Sequence, residues 1–186
     1  MLAPSRSPQR QNEKQPLNEQ CITTLRTPTT RRHLQELRMS KIQIFIGSVY
    51  GAAEQVGEIA AEELNKLGHE TTLNTYAAAK DLARDAEEII LLCHSNTGSG
   101  ELPDNIQPLY LHLTRDVPRI AGRRYGVINL GDSSYTTFNE AGIALDAAFA
   151  DLGAQRLGEP LVLDACSGDD PATETRNWIA QWANLI

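Results

Sequence analysis

From Lys41 onward, short runs of solidly apolar residues alternate with segments whose apolar residues recur at helical spacing. No other feature constrains the fold as much. Lys41–Gly47 (KIQIFIG), Glu88–Cys93 (EEIILLC) and Tyr125–Leu130 (YGVINL) read as strands, joined by Glu70–Asn74 and Arg156–Leu163. A strand that is apolar on both faces must be covered on both, as in a parallel sheet. Helices are expected over Ala53–Leu67, with Gly68 closing it, and over Ala77–Ala83. Three more are expected over Asn105–Leu113 (capped near Asp104), Phe138–Leu152 (closed by Gly153) and Thr173–Ile186. Five strands alternating with helices give right-handed crossovers and an α/β three-layer sandwich on a five-stranded parallel sheet. In such a fold ligands bind beyond the carboxyl ends of the strands.

Residues 1–38 are a different kind of polypeptide. They are rich in Gln, Arg, Pro, Ser and Thr, and hold seven basic against three acidic groups, a balance of +4. The whole chain carries −7, so residues 39–186 carry −11. The first segment lacks the apolar surface to offset its ordering entropy, so it is expected to be a disordered extension. The simplest reading places it upstream of a true start at Met39. It has no apolar signal-peptide core. Its prolines and glutamates work against an amphipathic transit helix. No run approaches the roughly 20 apolar residues that span a bilayer. The acidic domain argues against nucleic acid, which needs Lys and Arg to replace phosphate counterions. Cys21, Cys93 and Cys166 are odd in number and widely spaced, the pattern of a reducing, cytoplasmic setting and not of a disulfide framework or zinc site. His33, His69, His94 and His112 show no metal-ligand spacing and read as surface or core-edge residues.

Three loops at strand ends carry the chemistry. Gly47-Ser48-Val49-Tyr50-Gly51-Ala52-Ala53 follows the first strand and opens a helix. Small residues let backbone N–H groups close on an oxyanion, and the helix N-terminus adds partial positive charge. The loop lacks the Lys-Ser/Thr pair of a Walker A motif and is not GxGxxG. No Lys or Arg occurs between Lys41 and Lys66, which suits a lone monophosphate better than a triphosphate with magnesium. His94-Ser95-Asn96-Thr97-Gly98-Ser99-Gly100-Glu101-Leu102-Pro103-Asp104 follows the third strand and turns abruptly small and polar. Gly131-Asp132-Ser133-Ser134-Tyr135-Thr136-Thr137-Phe138-Asn139 follows the fourth. Tyr135, an aromatic in a polar loop, is placed to stack on a planar ligand, whereas Phe138 reads as a cap on the core.

GSVYGAAEQV, SNTGSGELPDN and NLGDSSYTTFN resemble, in order and spacing, the three FMN-binding loops of flavodoxins, over about residues 41–186. The likeness is to the short-chain bacterial type (YqcA/MioC-like), and the uninterrupted fifth strand fits that group. The resemblance implies a flavodoxin-like sheet of order 2-1-3-4-5, noncovalent FMN and an electron-transport role. It implies that Ser48, Val49, Tyr50, Gly51, Ala52 and Ala53 hold the phosphate. Asn96, Thr97 and Gly98 would lie at one side of the isoalloxazine, with the Gly98 carbonyl turning toward flavin N5. Tyr135 would stack on the other side. Gly131, Asp132, Ser133, Ser134, Phe138 and Asn139 would complete the site. Two departures stand out: Tyr50 and Ala53 occupy threonine positions of the family's T-x-T-G-x-T loop. Thr97 stands where many relatives have an aromatic, so stacking is expected from Tyr135 alone.

The resulting expectation is a monomeric electron carrier without catalytic residues or metal. An NADPH-dependent flavodoxin reductase would supply electrons, and acceptor enzymes with basic surfaces would be steered in by the excess negative charge. The alternative is an NAD(P)H-dependent FMN quinone or flavin reductase on the same fold. A receiver domain would need an aspartate where Cys93-His94 stand, and a flavin-free binding module would take up no FMN.

Overall fold

The computed structural model describes residues 39–186, and the expectations for residues 1–38 lie outside them. Six strands, all paired in parallel, form one sheet: β1 Lys41–Gly47, β2 Glu70–Asn74, β3 Ile89–Ser95, β4 Arg124–Gly131, β5 Gln155–Arg156 and β6 Leu161–Asp164. The order is β2-β1-β3-β4-β5, and β6 also pairs with β4. The helices are α1 Ala52–Lys66, α2 Ala79–Ala83, α3 Gln107–Asp116, α4 Glu140–Asp151 and α5 Pro171–Trp182. The expected flavodoxin-like sandwich is the one found.

Strand periodicity sorts the two faces. Ile42, Ile44 and Ile46 of β1 and Ile89, Leu91 and Cys93 of β3 pack with Val56, Ala60 and Leu64 of α1 and with Ile179 and Trp182 of α5. The alternate residues Phe45, Ile90, Leu92 and Val127 pack with Leu82 of α2, Leu109 and Leu113 of α3, and Leu145 and Phe149 of α4. The crossovers change face at β1, so β1 and β3 diverge from there and leave a crevice at their carboxyl ends. No helix among the described residues is long and apolar enough to cross a membrane.

The fifth strand differs from the expectation. Arg156–Leu163 is not continuous: the β5–β6 gap spans Leu157 to Pro160, with Gly158 at φ 71°. Pro160 has no N–H to give a ladder. The gap's carbonyls are taken by α5 instead: the Trp182 indole N–H donates to the Leu157 oxygen at 2.9 Å and that of Trp178 to the Glu159 oxygen at 3.0 Å. The two indoles stack at 5.4 Å between centroids. Trp182 lies against Gly126 so closely that a Cβ there would stand 2.6 Å from the ring.

Helix boundaries shift where local chemistry overrides periodicity. α4 begins at Glu140, not Phe138, because Asn139 before it is left-handed at φ 63°. α5 begins at Pro171, where the Asp170 carboxylate accepts the Thr173 N–H at 3.0 Å. α3 begins at Gln107, and no side chain among the described residues caps it.

Candidate functional site

The loops after β1, β3, β4 and β6 meet at the carboxyl edge of the sheet and enclose a cavity of about 500 Å³. That is within the range of small-molecule sites. In the first loop Gly51 is left-handed at φ 85°, which turns the chain straight into α1. Its N–H donates to Ser48 Oγ at 3.0 Å. No side chain among the described residues caps α1, and a helix N-terminus left this way presents its first-turn amides to an anion. The loop is pinned from outside. Asn105 Oδ1 accepts the Ser48 N–H at 3.1 Å, while its Nδ2 donates to the Ile46 and Thr75 oxygens at 2.9 and 2.8 Å.

The second loop is a tight hairpin. Thr97 and Glu101 exchange both backbone bonds at 2.9 Å, with Gly98 at φ 49° at its tip. Asn96 Nδ2 donates to the Thr137 oxygen at 3.0 Å, tying this hairpin to the third loop. Asn96 Oδ1 is buried there without a partner among the described residues. In the third loop Asp132 Oδ1 accepts the Ser134 N–H at 2.9 Å and faces the Cys166 thiol at 3.1 Å. Asp164, at the end of β6, accepts the N–H groups of Ser133 and Cys166 at 3.0 and 2.9 Å.

The site is electronegative. Among the described residues no Lys or Arg lines the cavity, while Asp132 and Asp164 do. The Ser134 hydroxyl, then the Cys166 thiol and the Ser134 N–H, hold the Asp132 carboxyl below the usual range. The Ser133 hydroxyl and the N–H groups of Cys166 and Ser133 do the same for Asp164, against the opposing charge of Asp132. Just beneath, His94 is fully buried, contrary to the core-edge expectation, and burial pushes its pKa down to about 4. Neither ring nitrogen has a partner among the described residues. Its neighbours across the sheet are Gly47 and Asn129. Cys93 is likewise buried; its thiol faces the Ala53 oxygen at 3.3 Å and burial drives its pKa upward.

Of the residues singled out from sequence, Tyr50, Ala52, Asn96, Thr97, Gly98, Gly131, Asp132, Tyr135 and Phe138 line this cavity together. Ser48 and Val49 line a neighbouring one of about 430 Å³ on the far side of the first loop, with Tyr76, Asp104 and Asn105. Ala53 is buried in the core beneath α1. Gly51, Ser133, Ser134 and Asn139 lie in the loops behind the lining. Two exposed tyrosines, not one, reach the cavity beside Phe138: Tyr50 is 95% exposed and Tyr135 64%. Phe138 does more than cap the core, since its ring both lines the cavity and packs on Gly131. The sequence reading missed Asn105 and the whole fourth wall, Leu163, Asp164, Ala165 and Pro171. Asp164–Pro171 (DACSGDDP) carried a usable signal, because it turns small and polar right after the apolar LVL, as the other three loops do after their strands.

These features define a doubly wound parallel α/β domain whose edge loops enclose a cavity lined by two tyrosines and a phenylalanine beside a helix N-terminus. The family described as Flavodoxin matches residues 44–179. Flavodoxin YqcA of Escherichia coli (strain K12) is 38% identical over 148 residues, 80% of this chain and 99% of its own. Protein MioC of the same strain is 34% identical over 148 residues, with the same coverage. Among solved structures, a single-site variant of a flavodoxin from Pseudomonas aeruginosa superposes with a TM-score of 0.72 at 40% identity, over 78% of this chain and 97% of that one. The chain belongs to the flavodoxin family, whose members are FMN-binding electron carriers.

Proposed function

We propose that this chain binds one FMN in the 500 Å³ cavity and passes electrons from an NADPH-dependent flavodoxin reductase to acceptor proteins with basic surfaces in the cytoplasm. The observation that carries the reading is the convergence, at one sheet edge, of an uncapped helix N-terminus, two exposed tyrosine rings and a glycine-tipped hairpin. The residues fit the cofactor. The first-turn amides of α1, beside Tyr50 and Ala52 of the lining, suit the phosphate. The Tyr135 and Tyr50 rings suit a planar isoalloxazine, and the orphaned Asn96 Oδ1 offers an acceptor beside it. Bound FMN would supply the electron-transfer chemistry. The protein's part is to hold the phosphate with backbone groups, to keep the flat ring between loops and to present a negative rim. Asp132, Asp164, Glu101 and Asp104 make association with a cationic partner fast and salt-dependent. Cys93 and Cys166, the free cysteines among the described residues, suit a reducing compartment. The family match does not favour the NAD(P)H-dependent reductase alternative.

The test is an FMN titration followed by flavin fluorescence, then NADPH-driven reduction of the loaded protein with and without a flavodoxin reductase. Stoichiometric binding and reduction only with the reductase are expected. Failure to bind FMN would refute the cofactor, and rapid NADPH oxidation by the protein alone would refute the carrier role.

A further inference from the structure

Nothing in the family match assigns a task to the segment that follows β6, yet it forms the fourth wall of the cavity through Leu163, Asp164, Ala165 and Pro171. Asp164 is where that wall meets the Tyr135 loop. One carboxylate oxygen, Oδ1, accepts two backbone N–H groups: Ser133 from the third loop at 3.0 Å and Cys166 from its own loop at 2.9 Å. The backbone adds a second link nearby, with the Ala165 N–H donating to the Gly131 oxygen at 2.9 Å. Asp132 reaches across from the other side to the Cys166 thiol at 3.1 Å. The third loop has few other anchors. Ser133, Ser134, Tyr135 and Thr136 are all exposed; apart from the Asn96 tie at Thr137, the loop's remaining backbone N–H groups bond within the loop, Ser134 to the Asp132 carboxylate, Tyr135 to the Asp132 oxygen and Phe138 to the Tyr135 oxygen.

We propose that Asp164 is a positioning residue for the ligand ring: its carboxylate clasps the Ser133 amide and thereby sets the third loop so that Tyr135 faces the cavity. This rests on the FMN reading and deepens it. Asp164 need not touch the ligand to act. With the clasp broken, the loop samples other arrangements, and apparent affinity falls in proportion to the fraction of molecules still holding the competent one. Hydrogen bonds to a charged acceptor are among the stronger ones in proteins, and two are lost together. A drop in the competent fraction to about one-tenth, hence about tenfold weaker binding, is the expected scale.

The experiment compares the wild-type full chain with Asp164→Ala and Asp164→Asn, using FMN itself as the probe. Dissociation constants come from fluorescence titration and the ring's surroundings from visible circular dichroism. Asp164→Ala should bind FMN about tenfold more weakly and alter the visible dichroism. Asp164→Asn keeps an amide oxygen that can accept both N–H groups, so it should recover most of the affinity and the wild-type spectrum. A merely structural role would lower the melting temperature of Asp164→Ala without moving the spectrum, and that result overturns the proposal. So does an Asp164→Asn as weak as Asp164→Ala, which would assign the effect to charge and not to the clasp. If Asp164→Ala does not fold, amide exchange in the wild-type protein decides: slow exchange of the Ser133 amide supports the clasp and fast exchange refutes it. Should the wild-type protein not bind FMN at all, the cofactor reading fails, whereas wild-type binding with an unaffected Asp164→Ala fails this inference alone.

Discussion

Replacing Asn105 tests whether the phosphate loop is held from outside itself. Asn105 spends its whole amide on three backbone groups of two other segments: the Ser48 N–H and the Ile46 and Thr75 carbonyls. Ser48, Thr75 and Asn105 are half-buried, and Ile46 is fully buried. Asn105→Ala removes all three bonds and leaves their partners partly shielded from water. At about 0.5–1.5 kcal/mol net per bond, with more where a buried group stays unsatisfied, the loss is roughly 2–4 kcal/mol. For a domain of this size each 1 kcal/mol moves the melting temperature by about 2–4 °C, so a fall of roughly 4–16 °C is expected. FMN affinity should fall too, because Ser48 and the Gly51 amide it holds lose their reference point. Asn105→Asp is the sharper probe. It keeps an acceptor for the Ser48 N–H but turns a second anionic oxygen toward the Ile46 and Thr75 carbonyls. The introduced carboxyl should have a folded-state pKa above its unfolded value. Its stabilising contribution is then present at acid pH, where it is protonated and can donate, and is lost as pH rises through the folded pKa. Urea melts of the three proteins from pH 4 to 8 read both effects. Wild-type stability in Asn105→Ala, or no pH dependence of the difference in Asn105→Asp, would refute the argument.

Three further outcomes are expected. Tyr135→Ala and Tyr50→Ala should each weaken FMN binding by about 0.5–1.5 kcal/mol or somewhat more, seen by titration; an effect from Tyr135 alone would restore one-sided stacking. His94 is buried neutral with its pKa down at about 4, against 6.5 when unfolded, so the unfolded chain takes up the proton first. Stability should therefore be intact above pH 6.5 and fall by roughly 3 kcal/mol as pH drops toward 4, a slope that urea titrations of His94→Leu should lack. Trp182→Ala should cost about 3–5 kcal/mol by calorimetry or urea melts, since it empties the space over Gly126 and frees the Leu157 carbonyl.

The amino-acid sequence by itself determined the architecture and the address of the site. Solid apolar strands such as Ile89–Cys93 can exist only between two layers, and polar loops that follow them can gather only at the carboxyl edge. These are local properties: periodicity lies within a segment, and glycine at the tip of the second loop is legible in three residues. What the tertiary structure alone decided depends on partners far away in the chain. Gly158 and Pro160 mark a break within Arg156–Leu163, but the indoles from α5 that take its carbonyls, about 20 residues downstream, are announced by nothing in that segment. Asn105 looked like the start of a helix near its Asp104 cap, yet its amide serves a loop 57 residues earlier. Asp164 and Asp132, 32 positions apart, become neighbours only because β6 pairs with β4. Ser48 and Val49 sit next to Tyr50 in sequence but face a different cavity, because the left-handed turn at Gly51 sends the chain sharply into α1 and splits the loop between its two sides. Spacing along the chain carries no information about such pairings, since a side chain's hydrogen-bond partner is set by which strands lie side by side, and that is decided when the sheet assembles.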